Sequence, residues 1–183
     1  MANLIKDNFT ISYEDNIQIV DPEEKENRKE KINQYSHCLS NVDLIIRLDD
    51  KILFIELKNF NNVSQHDFKE VLNSFKIDKP LNKESIIYEL IQKGRGSFIK
   101  EYSSENINDK DIYYFIIFSL NFKIRDPRFI KNINNAIQQN LPLIKNDCIY
   151  RKPFIKSAAM ITVDDWIERA KNIGAGKINF STI

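Results

Sequence analysis

With 183 residues, 42% of them hydrophobic and 11% aromatic, the chain is long enough to bury a substantial core and fits one domain spanning residues 1–183. Its 27 Lys and Arg against 26 Asp and Glu leave a net charge of +1, which excludes attraction to nucleic acid through bulk charge and leaves only a local basic patch to supply it. The two cysteines, Cys38 and Cys148, the acids Asp7, Glu14 and Asp15 that interrupt every early apolar run, and the lack of an apolar stretch near the ~20 residues of a membrane span predict a soluble cytoplasmic protein without a membrane partner.

Phe9 to Tyr13 and Ile17 to Val20 alternate with polar residues around Glu14-Asp15-Asn16, predicting an N-terminal hairpin over 9–20. Asp21 as N-cap, Pro22 at the first helical position and Glu23-Glu24 in the first turn predict a charged helix to about Tyr35. Two apolar runs follow, Val42 to Leu48 and Ile52 to Leu57, joined by a charged turn. Phe68, Val71, Leu72 and Phe75 recur at helical spacing within 65–75, and Ile86, Ile87, Leu90, Ile91 and Phe98 mark a further helix over about 83–102. In that second helix Gly94 and Gly96 either break the helix or admit another backbone. Asp111 to Leu120 is the clearest buried strand, rich in β-branched and aromatic residues. Asp126-Pro127 opens a helix to about Asn140, a strand is expected near Cys148 to Ile155, and a helix over Asp164 to Asn172, anchored by Trp166, closes a core of about 22–170 before a short tail, 173–183.

The chemistry concentrates in the paired apolar runs. Ionised groups are rarely carried into such surroundings unless they are paired or bind a metal, yet Glu56 and Lys58 end the second run. Strand alternation points both to one face, with Leu57 on the other, and Asp43 on the adjacent run reaches the same spot. Two converging carboxylates suit a hard cation such as Mg²⁺, with the Leu57 backbone carbonyl as a further oxygen. Lys58 then either handles the proton of a bound water or stabilises charge on a phosphorane.

This order of elements, with Asp43, twelve intervening residues, and then Glu56-Leu57-Lys58, resembles the PD-(D/E)XK nuclease superfamily, which includes many restriction endonucleases and repair nucleases. The likeness covers residues 22–120, and its specificity rests on those three matched positions; Val42 stands where the family name has proline. The resemblance implies an α/β, restriction-endonuclease-like fold with a mixed four-stranded central β-sheet flanked by α-helices. It further implies Mg²⁺ or Mn²⁺ as cofactor and hydrolysis of phosphodiester bonds, with DNA the favoured nucleic acid. Relatives often place a third acid on the helix before the Asp strand, where Glu24 and Glu30 are candidates, and a polar residue on the helix after the hairpin, where Gln92 and Lys93 lie.

Phosphate contacts are sought among basic residues near aromatic ones: Lys123, Arg125, Arg128 and Lys131 beside Phe122 and Phe129, then Arg151, Lys152 and Lys156, then Lys93 and Arg95. A solvated charged face is the competing reading of each group. Gly174-Ala175-Gly176-Lys177 fails as a phosphate loop, since Lys171 and Ile178 stand at its other required positions, and His37-Cys38 lacks zinc spacing. No recognition module is evident, so a homodimer or a targeting partner protein is expected. The alternative function is a catalytically inactive module that binds nucleic acid or protein within a larger assembly.

Overall fold

The computed structural model of the chain describes residues 1–22, 39–64, 67, 83, 85–107, 109–120, 127–141 and 155–183. Among them the elements are, in chain order, β1 (Ala2–Lys6), β2 (Phe9–Tyr13), β3 (Gln18–Val20), β4 (Leu44–Arg47), β5 (Lys51–Asn59), α1 (Ile86–Ser103), β6 (Asp111–Ser119), α2 (Pro127–Asn140), β7 (Ile155–Thr162), α3 (Val163–Asn172) and β8 (Ile178–Thr182). A five-stranded mixed sheet runs β3-β4-β5-β6-β7, antiparallel as far as β5 and parallel from β5 to β7.

The apolar run of β5 lies at the centre of this sheet because it is covered on both faces. Ile52 and Phe54 pack with Tyr114 and Ile116 of β6 beneath Ile87, Leu90 and Ile91 of α1 and Ile133 and Ile137 of α2. Leu53, Ile55 and Leu57 face the opposite layer, where Phe115 meets Trp166 of α3 together with Phe9, Ile11, Ile178 and Phe180 of a second, three-stranded sheet ordered β1-β2-β8. Both parallel crossovers step the same way across the sheet, so α1 and α2 share a face. Trp166 is fully buried between the edges of Phe115 and Phe180, and its indole N–H donates to the Ile178 carbonyl at 2.7 Å, which ties α3 to the small sheet.

Among the described residues the sheet has five strands where four were expected, and two expectations for single elements are corrected. Phe9–Tyr13 does not pair with Gln18–Val20: β2 pairs with β1 and β8, while β3 joins β4 in the other sheet. The β1–β2 hairpin turns on Asp7 and Asn8, both at positive φ (51° and 62°), as a two-residue turn of the twist-matched kind requires. The strand expected near 148–155 lies, apart from Ile155, outside the described residues, and β7 is observed over Ile155–Thr162. The tail contains β8, whose Ile178 and Phe180 enter the core. The helices expected over 21–35 and 65–75, together with His37, Cys38 and Cys148, lie wholly or almost wholly outside the described residues.

Candidate functional site

Asp43 sits one step before β4, and the register Leu44↔Ile55 sets it across from Glu56 in the antiparallel pair. Two neighbours on α1 fix that placement. Gly96 has no Cβ where one would overlap the Ser40 carbonyl oxygen, so the segment leading to Asp43 lies directly on the helix. The next residue, Ser97, accepts the Val42 N–H at 2.9 Å. Beyond the end of β4 the Asp43 carboxylate substitutes for a ladder partner, Oδ2 accepting the Leu57 N–H at 2.7 Å. The N–H and C=O of one strand residue point to the same edge, so the Leu57 carbonyl faces this side too, while its side chain fills the opposite core.

Glu56 has an exposure of 0%. Its Oε1 accepts from Lys93 Nζ at 2.6 Å and pairs with Lys58 Nζ at 2.9 Å, while Oε2 has no hydrogen-bond partner among the described residues. Burial, reinforced by the Asp43 carboxylate, pushes the Glu56 carboxyl up to about 7 against the pull of Lys58 and Lys93. Burial lowers both lysines in turn, but the carboxylates outweigh it: Glu56 and Asp43 hold Lys93 above its usual value, and Glu56 with Glu89 does the same for Lys58. Both ammoniums are therefore charged. Tyr114 lies beneath, donating to the Leu90 carbonyl at 3.0 Å; its burial, then Glu56, Asp43 and Glu89, keep the phenol far from ionising, which makes it a wall of the site.

The hairpin thus brings Asp43, Glu56, Leu57 and Lys58 together, as their spacing predicts. Lys93, expected either as a polar residue facing the site from the helix after the hairpin or as a phosphate contact, bridges both acids, with Asp43 Oδ1 at 3.3 Å. Sequence reasoning missed Glu89, which lies 3.3 Å from Lys58 Nζ and 3.8 Å from Lys93 Nζ. It also missed Arg47 with Glu101, a partly buried pair in which both carboxylate oxygens are bonded. The available signal was a polar ladder of period four, Glu89-Lys93-Ser97-Glu101, which in a helix forms one stripe. That stripe meets, in order, Lys58, Glu56, Val42 and Arg47.

Gln92 is half-buried on α1, and Arg95 is exposed and donates to the Asn140 carbonyl at the end of α2, which caps that helix. α2 runs antiparallel to β7, since Asn134 bonds Met160 and Gln138 bonds Ala158, so Arg128 and Lys131 lie toward the sheet end that carries Lys58. Lys156 pairs with Asp111 at the opposite end. Glu24, Glu30, Lys123, Arg125, Arg151 and Lys152 lie outside the described residues.

Among the described residues no three His, Cys, Asp or Glu side chains group as a metal site. The donors present, two carboxylates and a backbone carbonyl with one carboxylate oxygen unsatisfied, are all oxygens and fit a hard divalent cation that keeps several waters. Among the described residues no helix is long and apolar enough to cross a membrane. Comparison of the chain with family models, curated proteins and solved structures finds no match.

Proposed function

We propose that the chain is a metal-dependent nuclease of restriction-endonuclease-like fold that hydrolyses phosphodiester bonds of DNA, as a homodimer or with a targeting partner. The observation that carries this reading is Glu56, fully buried opposite Asp43, with one oxygen unpartnered among the described residues and a lysine two residues on. A buried carboxylate left half satisfied costs stability, and a cation relieves that cost. Asp43, Glu56 and the Leu57 carbonyl would hold Mg²⁺ or Mn²⁺. When bound, such an ion polarises a phosphoryl oxygen and lowers the pKa of a water. Lys58, partly exposed and held between Glu56 and Glu89, presents a fixed positive charge to the oxygens on which negative charge develops. Arg128 and Lys131 supply phosphate contacts at the same end of the sheet.

A second reading is favoured by Lys93. Its ammonium already balances both acids, as it would in an inactive module that binds nucleic acid or a protein partner. Incubating the protein with circular single-stranded DNA, duplex plasmid and RNA, each with Mg²⁺, Mn²⁺ or EDTA, separates the two. The nuclease reading expects ion-dependent cleavage that is lost in Asp43→Asn and Glu56→Gln. Binding without cleavage under every ion would select the inactive module, and cleavage by either variant within tenfold of the parent at saturating metal would remove that residue from the site.

A further inference from the structure

We infer that Lys93 is a resident counter-ion that a divalent metal displaces, and that Glu89 receives the displaced ammonium. This rests on the reading of Asp43 and Glu56 as cation ligands. Lys93 Nζ lies 2.6 Å from Glu56 Oε1 and 3.3 Å from Asp43 Oδ1, so it is the cation between the two oxygens that a metal would need. A small dication placed there would stand within a few ångströms of an ammonium, and two cations that close repel each other strongly in a largely buried site. One of them must leave.

The local geometry provides for that exchange. Glu89 lies one turn earlier on α1, its Oε1 is 3.8 Å from the same ammonium, and its side chain is 50% exposed against 17% for Lys93. The lysine stem is flexible, so rotating outward toward Glu89 gives up the two inner carboxylates to the metal and keeps a third for the ammonium, without moving the helix. Charge balance points the same way. Asp43 and Glu56, once both are ionised, carry two negative charges that a dication alone balances, so the inner oxygens have no need of Lys93 as well, and Glu89 is the carboxylate left for it. Metal affinity in the parent protein therefore includes the work of expelling Lys93, and the loaded site presents that ammonium outward beside Lys58.

The test is Mn²⁺ binding, by calorimetry and by electron paramagnetic resonance, on the full chain, on Lys93→Met and on Asp43→Asn, together with acylation of the Lys93 amine in the parent with and without Mn²⁺, read by mass spectrometry. Lys93→Met should bind Mn²⁺ at least tenfold more tightly than the parent, and the parent's Lys93 should be acylated several-fold faster once Mn²⁺ is added. Tighter binding by Lys93→Met when the parent binds none also supports the exchange. Equal or weaker binding by a folded Lys93→Met overturns it, and so does acylation indifferent to Mn²⁺ in a parent that binds the ion, which needs no variant and decides the matter if Lys93→Met fails to fold. Asp43→Asn locates any failure: if it binds as the parent does, Asp43 is no ligand and the underlying reading falls, whereas Asp43-dependent binding that Lys93→Met does not improve defeats the exchange alone. If neither the parent nor Lys93→Met binds the ion, both are wrong.

Discussion

Glu56→Gln should make the metal-free protein more stable at neutral pH, and the gain should grow with pH. In the fold the Glu56 carboxyl is raised from 4.5 to about 7, so the native state holds this proton more tightly than the unfolded chain does. The stability that goes with the raised value is fully present below pH 4.5 and is lost as pH rises through 7, because the unfolded chain ionises first and freely while the folded one must ionise in the core. A shift of that size corresponds to roughly 3 kcal/mol between the two limits. Glutamine fills nearly the same volume and does not titrate, so parent minus variant isolates the effect. Urea unfolding of both proteins in EDTA at pH 4.5, 6, 7 and 8 should show the difference moving against the parent by roughly that amount, nearly all of it by pH 8. Saturating Mg²⁺ should reverse the order at pH 8, since an ion that binds only the folded parent stabilises it by mass action. A parent-to-variant difference that stays flat from pH 4.5 to 8 would refute the account of Glu56 as a carboxyl held out of water against its ionised form.

Lys58→Ala should lose about 3 kcal/mol of transition-state stabilisation, roughly a hundredfold or more in rate, while keeping Mn²⁺ binding, and single-turnover cleavage with calorimetry checks the division. Gly96→Ala gains about 1 kcal/mol of helix propensity, but its Cβ meets the Ser40 backbone, an overlap costing about 3; a net loss of about 2 kcal/mol by urea unfolding and weaker Mn²⁺ binding are expected, because the segment that carries Asp43 must shift. Asn134 pairs its side-chain amide with both the N–H and the C=O of Met160 on edge strand β7, and Asn134→Leu should cost about 1–3 kcal/mol and promote concentration-dependent self-association by sedimentation, as an edge opened to another strand does.

The part of the site legible in the sequence is the part that violates a local rule. Asp43, Glu56 and Lys58 interrupt apolar runs, and strand alternation alone assigns Glu56 and Lys58 to one face. Glu89 and Lys93 break no rule, because charges four residues apart on a helix are ordinary solvated pairs. Their role depends on α1 running back over the end of β5, a consequence of the crossover between parallel strands that spacing does not disclose. The strands that spacing did not disclose have similar causes. β7 reads Ile-Lys-Ser-Ala-Ala-Met-Ile-Thr, whose small residues carry weak β-propensity and are held there by β6 and by amides from α2. The β1–β2 turn uses Asp-Asn without glycine, and β1 alternates between half-buried and exposed, so neither the turn nor the strand announces itself.

Two ionic groups lie along one stripe of α1, and their difference bears on which is structural. Arg47 and Glu101 form a closed fork in which each carboxylate oxygen accepts a guanidinium N–H at 2.7–3.1 Å, an arrangement that satisfies its own desolvation and locks the helix to β4. The cluster about two to three turns away does not close. Three carboxylates share two ammoniums, both lysines converge on Glu56 Oε1, and Oε2 of the same buried group has no partner among the described residues. If the cluster served only to bind α1 to the hairpin, a fork like the first or well-packed apolar residues would do so at lower cost, since buried ion pairs rarely outperform hydrophobic replacements. Burial that leaves an acceptor open, beside a lysine able to withdraw, is the arrangement expected of a site whose second state includes a cation supplied from solution.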